Sequence, residues 1–181
     1  MAAMGGSVAR RYAKAIFAIG VENGLFELLG RQLNELSDLW KDSPDLRQTL
    51  ENPVFKLSQK RAVLQGLMPR VAPARQVQSL ALLLLERGRI ANLPAIARAY
   101  EEMSDEKLGR VRARVVSATP LDIASETEIR KALERRTGKK VLMTTVVDPS
   151  LIGGVVTHVA GMVLDGSVVT RLSTLKNRLL N

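Results

Sequence analysis
The chain has 181 residues, 46% of them hydrophobic but only 3% aromatic, with a formal net charge of +9, one histidine and no cysteine. That length suffices for one ordinary domain or two small ones built around an aliphatic core, and the charge implies acidic partners. Without cysteine, disulfides and thiolate metal sites are excluded and a reducing compartment is the natural setting, while one histidine leaves no histidine-based zinc cluster.

The opening segment, MAAMGGSVARRYAKAIF, lacks the long apolar stretch of a secretory signal. Ser7 is placed to cap a first helix, after which Val8, Tyr12, Ala15, Ile16 and Ile19 recur at helical spacing. A second apolar row, Ala13, Phe17 and Val21, lies on another side of it, more apolar surface than one core-facing stripe requires. One row then faces a core and the other is available to a partner helix. After Gly24, Leu25, Leu29, Leu33, Leu36 and Trp40 mark a second amphipathic helix that closes near Pro44. SPDLRQTLENP predicts a short third helix between two prolines. Ser58 is the expected cap of a fourth, with Val63, Leu64 and Leu67 on its inner face.

Pro73 begins a fifth helix, in which Leu80, Leu82, Leu83, Leu84 and Leu85 surround the axis, so that it is expected to be covered on nearly every side before it ends at Gly88. The run Leu80 to Leu85 is the longest solid apolar stretch, far below the roughly 20 residues that span a bilayer, so the chain is expected to be soluble. Leu93, Ile96, Ala97, Tyr100 and Met103 mark a sixth helix. Six helices with short connections predict an aliphatic bundle.

The period changes near Leu108 and Gly109. In RVRARVVSA, Val111, Ala113 and Val115 point one way and Arg110, Arg112 and Arg114 the other, the pattern of a half-exposed strand. DIASETEIRKALERRTG predicts a helix capped by Asp122, supported by a Glu126–Arg130 pair and closed at Gly138; KVLMTTVV is a second strand, followed by a turn at DPS. The fold class is therefore α+β: an N-terminal six-helix bundle over residues 1–105, then a small α/β domain over residues 110–181.

The stretch LIGGVVTHVAGMVLDGSVVTRL joins glycines, the lone His158 and Asp165, and each site chemistry it suggests fails on spacing. A P-loop needs Lys and Ser or Thr directly after its glycines, whereas Val155, Val156 and Thr157 follow Gly153 and Gly154; the three spaced glycines of a dinucleotide site are also absent. His158 has strand-forming neighbours and no evident acidic or nucleophilic partner. A bend at the glycine pair, a strand VVTHV, a turn at Ala160 and Gly161, a return strand MVL and a last helix capped by Asp165 or Ser167 and carrying Val168, Leu172, Leu175 and Leu179 account for the whole segment. No catalytic, cofactor-binding or metal-binding residue is assigned.

Charge is uneven. Residues 1–109 carry 15 basic and 12 acidic side chains, a surplus of 3, against 12 and 6, a surplus of 6, in residues 110–181. Arg110, Arg112, Arg114, Arg135, Arg136, Lys139 and Lys140 suit nonspecific phosphate contact. Residues 101–181 contain no Phe, Tyr or Trp, which disfavours readers that stack bases. The residues alone leave a basic adaptor and a nucleic-acid-binding protein both open.

DPSLIGGVV followed by VLDGSVVTRLSTLKNRL resembles the C-terminal signature of the delta subunit of bacterial F-type ATP synthase, the counterpart of the mitochondrial oligomycin-sensitivity-conferring protein. RRYAKAIFAIG, the Asn52-Pro53 pair and LLLLERGRIANLPAIARAY match that family in order and spacing, so the resemblance covers nearly the whole chain. Ala160-Gly161 departs from the Gly-Asp often found in the family's hairpin turn. The resemblance implies a non-catalytic stator subunit without cofactor, resisting rotation during proton-driven ATP synthesis. It implies that the helical domain binds N-terminal helices of alpha subunits and the second domain the C-terminal ends of the b subunits of the peripheral stalk, with no nucleic acid. It places the chain on the cytoplasmic face of the cell inner membrane, held there only through the complex. It also implies a groove between the first and fifth helices, carried over to Tyr12, Ala15, Ile16, Ile19, Leu80, Leu83 and Leu84.

Overall fold
The computed structural model describes residues 2–151, 153–159 and 161–166, which fall into two compact units divided between Ser104 and Asp105. Seven α-helices and a four-stranded mixed sheet make the described residues an α+β structure.

The first unit is helical. Its elements are α1 (Ala2–Glu22), α2 (Phe26–Asp42), α3 (Pro44–Glu51), α4 (Leu57–Val71), α5 (Arg75–Glu86), a 3-10 turn (Ile90–Asn92) and the greater part of α6 (Leu93–Lys107). The amphipathic α2 is central: Leu29, Leu33, Leu36 and Trp40 are buried along one stripe, and the helix packs against α1, α3, α4 and α5. The core is aliphatic apart from Trp40 and an aromatic cluster in which Phe17 meets Phe26 and Tyr100 edge to face. Tyr100 is wholly buried, and its hydroxyl donates to the Phe26 carbonyl at 2.8 Å. Two glycines make room for that ring: a Cβ on Gly20 would sit 2.8 Å from Tyr100 Oη and 3.0 Å from the Phe26 Cα, and one on Gly30 3.1 Å from Tyr100 Cε1. The close approach holds α1 and α2 against α6. On the surface Arg61 of α4 pairs with Glu86 of α5.

Three local expectations are corrected here. α1 begins at Ala2, so Ser7 lies inside it rather than capping it. α4 starts at Leu57 with Lys56 in the capping position, where the Gln59 side chain accepts from the Lys56 N–H at 2.9 Å, and Ser58 is already in the first turn. Of the expected inner face of α4, Leu64 is buried, Leu67 half-buried and Val63 exposed, because the helix meets its neighbours along a narrow stripe.

The second unit begins on the last residues of α6, where the half-exposed Arg112 Nε donates to the mostly buried Asp105 Oδ2 at 2.5 Å. β1 (Arg110–Ser117), α7 (Ile123–Thr137) and β2 (Lys140–Val147) form a strand–helix–strand unit with β1 and β2 parallel; β3 (Val155–Val159) pairs antiparallel with β1, and β4 (Met162–Asp165) antiparallel with β3. The strand order is β2-β1-β3-β4. Ala113, Val141 and Val159 pack with Leu133 of α7 to form the small core. The Asp122 side chain accepts from the Ser125 N–H at 2.8 Å, capping α7 as the sequence suggests, and Gly138 ends the helix at φ 66°. The Glu126–Arg130 pair is not formed among the described residues; Glu126 Oε1 accepts instead from Thr145 Oγ1 of β2. Gly161 supports the turn into β4 at φ 76°. Ala160, Ser167 and the expected last helix with Val168, Leu172, Leu175 and Leu179 lie outside the described residues.

Candidate functional site
Helical spacing brings an apolar row of α1 beside a row of α5 that is part polar and part apolar. Tyr12, Ala15, Ile16 and Ile19 recur every three or four residues on α1; Arg75, Gln76, Ser79, Leu80 and Leu83 do so on α5. Together they line a groove of about 420 Å³. Its floor is closed: Ile16 is 3% exposed and Leu80 8%. Its walls are open: Ile19 is 43% exposed and Leu83 38%. Arg89 Nη1 donates to the Tyr12 hydroxyl at 3.1 Å, fixing the ring at the rim. Arg75, Gln76 and Ser79 add a polar edge along α5.

The other apolar row of α1 turns inward. Ala13 is fully buried, and Phe17 and Val21 are half-buried. Six of the seven residues named from the sequence line the groove. Leu84 does not: it is 0% exposed and belongs to the core, because one helical position beyond Leu83 turns the side chain about 100° away. For the same reason α5 is not covered on every side. Val77, Leu80, Ala81, Leu84 and Leu85 are buried, Leu82 is half-buried and Leu83 is left open. Arg75, Gln76 and Ser79 went unnamed because they are polar; stepping back from Leu83 by four and eight residues reaches Ser79 and Arg75 on the same face.

Up to Asp165, the described residues of the glycine-rich segment are strand, turn and bend. Val155 to Val159 is strand, His158 is an exposed residue of β3 paired in register with Arg114 and Val163, and Asp165 ends β4. Among the described residues no group of three or more His, Asp or Glu is placed to hold a metal ion, and no helix is long and apolar enough to cross a membrane.

The model of the family described as ATP synthase delta (OSCP) subunit matches residues 8–179. The chain belongs to that family. It is 42% identical over 174 residues to an ATP synthase subunit delta of Anaeromyxobacter dehalogenans, covering 96% of this chain and 97% of that one. To the subunit delta of Citrifermentans bemidjiense it is 42% identical over 171 residues, covering 94% and 95%. Among solved structures, a chain of the Toxoplasma gondii mitochondrial ATP synthase hexamer matches with a TM-score of 0.74 and 28% identity, over 96% of this chain and 97% of that one. Membership makes this chain a peripheral-stalk component of the ATP synthase stator, structural rather than catalytic.

Proposed function
We propose that the chain clamps the catalytic head to the peripheral stalk at two places. The N-terminal unit, as a six-helix bundle over residues 1–105, seats an N-terminal helix of an alpha subunit in the groove between α1 and α5. The C-terminal domain, residues 110–181, holds the C-terminal ends of the b subunits. The chain then resists rotation of the head while the rotor turns during proton-driven ATP synthesis. It sits at the cytoplasmic face of the cell inner membrane through the complex alone.

The observation that carries this reading is the groove itself. An amphipathic helix needs a trough with an apolar floor, apolar walls that still face solvent and a polar edge. Ile16 and Leu80 supply the floor, Ile19 and Leu83 the walls, and Arg75 and Ser79 the edge. Burying the open walls gives the partner helix its gain, while the packed floor keeps the trough from collapsing.

The test is assembly. Head complex lacking this subunit, soluble b dimer and the purified full chain are mixed and resolved by size exclusion. One peak containing head, chain and b dimer is expected, with head and b dimer separating when the chain is left out. Head and b dimer that co-elute equally well without the chain would overturn the clamp.

A further inference from the structure
The C-terminal unit carries an open hollow of about 770 Å³ where α7 ends and β2 begins, lined by Lys131, Glu134, Arg135, Gly138, Lys139 and Lys140. Local structure gathers these charges. Lys131 and Arg135 stand one turn apart on one face of α7. Gly138, at positive φ, ends the helix and turns the chain back, so that Lys139 and Lys140 follow at once. The backbone there is pinned: the Lys140 N–H donates to the Gly109 carbonyl at 3.0 Å and the Val141 N–H to Glu134 Oε1 at 3.1 Å.

Four cations therefore face one carboxylate, a local surplus of 4 − 1 = 3 charges, and one oxygen of that carboxylate is already engaged by the backbone. None of the four forms an ion pair among the described residues. Basic residues in a last turn complement the helix dipole, which accounts for Arg135 and its neighbour Arg136. It does not account for Lys131, a turn earlier, or for Lys139 and Lys140 beyond the helix. Lys131 and Arg135 also repel each other at i,i+4, an arrangement unfavourable in an isolated helix. Like charges around a concavity focus a positive potential and draw in an acidic ligand.

The shape selects among acidic ligands. The hollow is wide and open, and its cations sit exposed on long stems, whereas a small-anion cradle has buried donors converging on one point. No Phe, Tyr or Trp lies in residues 105–181 for bases to stack on. Carboxylates spaced along a helix suit an open basic surface of this kind. We propose that the hollow receives an acidic, Asp- and Glu-rich segment of the peripheral-stalk partner; this rests on the stator reading above.

The probe is the soluble b dimer, titrated calorimetrically into the full chain at low and at physiological salt. Wild type is expected to bind more weakly as salt rises. Lys131→Glu with Arg135→Glu should weaken binding at least tenfold and flatten the salt dependence. Lys139→Gln with Lys140→Gln, a milder change that protects the test against misfolding, should weaken it by a smaller factor. Arg114→Glu, on β1, should leave it unchanged. Wild-type binding with both hollow variants unaffected overturns the hollow and leaves the stator reading standing. Failure of the wild type to bind the b dimer overturns both. Hollow variants that lose binding to RNA or anionic vesicles while keeping wild-type affinity for the b dimer also overturn the proposal.

Discussion

Exposure within the groove separates residues that bind from residues that hold the fold. Ile19 and Leu83 are 43% and 38% exposed, so a docked helix has roughly 0.4 of each side chain left to cover. Complete burial of an aliphatic side chain is worth about 1.5–3 kcal/mol, which makes the remaining gain about 0.6–1.2 kcal/mol for each and about 1–2.5 kcal/mol for both. At 1.4 kcal/mol per factor of ten, Ile19→Ala with Leu83→Ala should weaken binding of an alpha N-terminal peptide roughly 5- to 60-fold. Ile16, at 3% exposed, has almost nothing left to cover. Ile16→Ala should leave affinity within about twofold yet destabilise the helical unit by about 2–5 kcal/mol through the cavity it opens. Calorimetry reads affinity at a temperature where circular dichroism shows every variant folded; thermal melts read stability. A double variant that binds like wild type, or an Ile16→Ala protein that melts like wild type while losing affinity, would refute the assignment of wall and floor.

Other outcomes follow from the packing and the titrating groups. Gly20→Ala should destabilise by about 1–3 kcal/mol, because its Cβ meets Tyr100 Oη at 2.8 Å and the Phe26 backbone at 3.0 Å. Gly66→Ala, inside α4 with nothing within 4 Å of the added carbon, should instead raise the melting temperature through helix propensity. Burial pushes the Tyr100 hydroxyl up to about 12 from 10.0, so the folded state holds a proton that the unfolded chain releases. Its contribution is whole below pH 10 and declines as pH rises towards 12, by roughly 2–3 kcal/mol, and Tyr100→Phe should abolish that alkaline decline in denaturant titrations. The hydrogen bond from Ser125 holds the Asp122 carboxyl below its ordinary value, so its contribution is present above the unfolded pKa and lost as pH falls through the folded one. Asp122→Asn, which keeps a capping oxygen, should remove that acid-dependent part while sparing α7 at neutral pH.

Periodicity carried most of the architecture. The stripe Leu29, Leu33, Leu36 and Trp40 was readable because α2 buries one face, and the alternation from Arg110 to Val115 because β1 does the same. Helix starts were less legible. AAMGGS contains two glycines and a serine, residues that suggest a boundary, yet α1 runs through all of them. The turn expected after Val159 made β3 and β4 readable as neighbours, but local spacing does not say that β1 lies between β2 and β3. In the groove, the row Tyr12, Ala15, Ile16 and Ile19 was visible as a surplus of apolar surface. Leu84 was not separable from Leu83, since a run of leucines carries no contrast from which to read direction. Arg75, Gln76 and Ser79 form the polar edge of the groove, which apolar periodicity does not reveal. The hollow on α7 depends on Lys139 and Lys140 turning back beside Lys131 and Arg135, a proximity set by the turn at Gly138.

Coupling is the property a stator exists to provide, and it is measured most directly in membranes stripped of this subunit but retaining the rest of the ATP synthase. The purified chain alone should hydrolyse no ATP, and adding it back should restore ATP synthesis driven by a proton gradient. The Ile19→Ala, Leu83→Ala protein should restore less at limiting concentration and approach wild type as its concentration is raised, as expected for weakened docking. ATP turnover by the pure chain that disappears in His158→Gln, or full coupling in stripped membranes without the chain, would contradict the account.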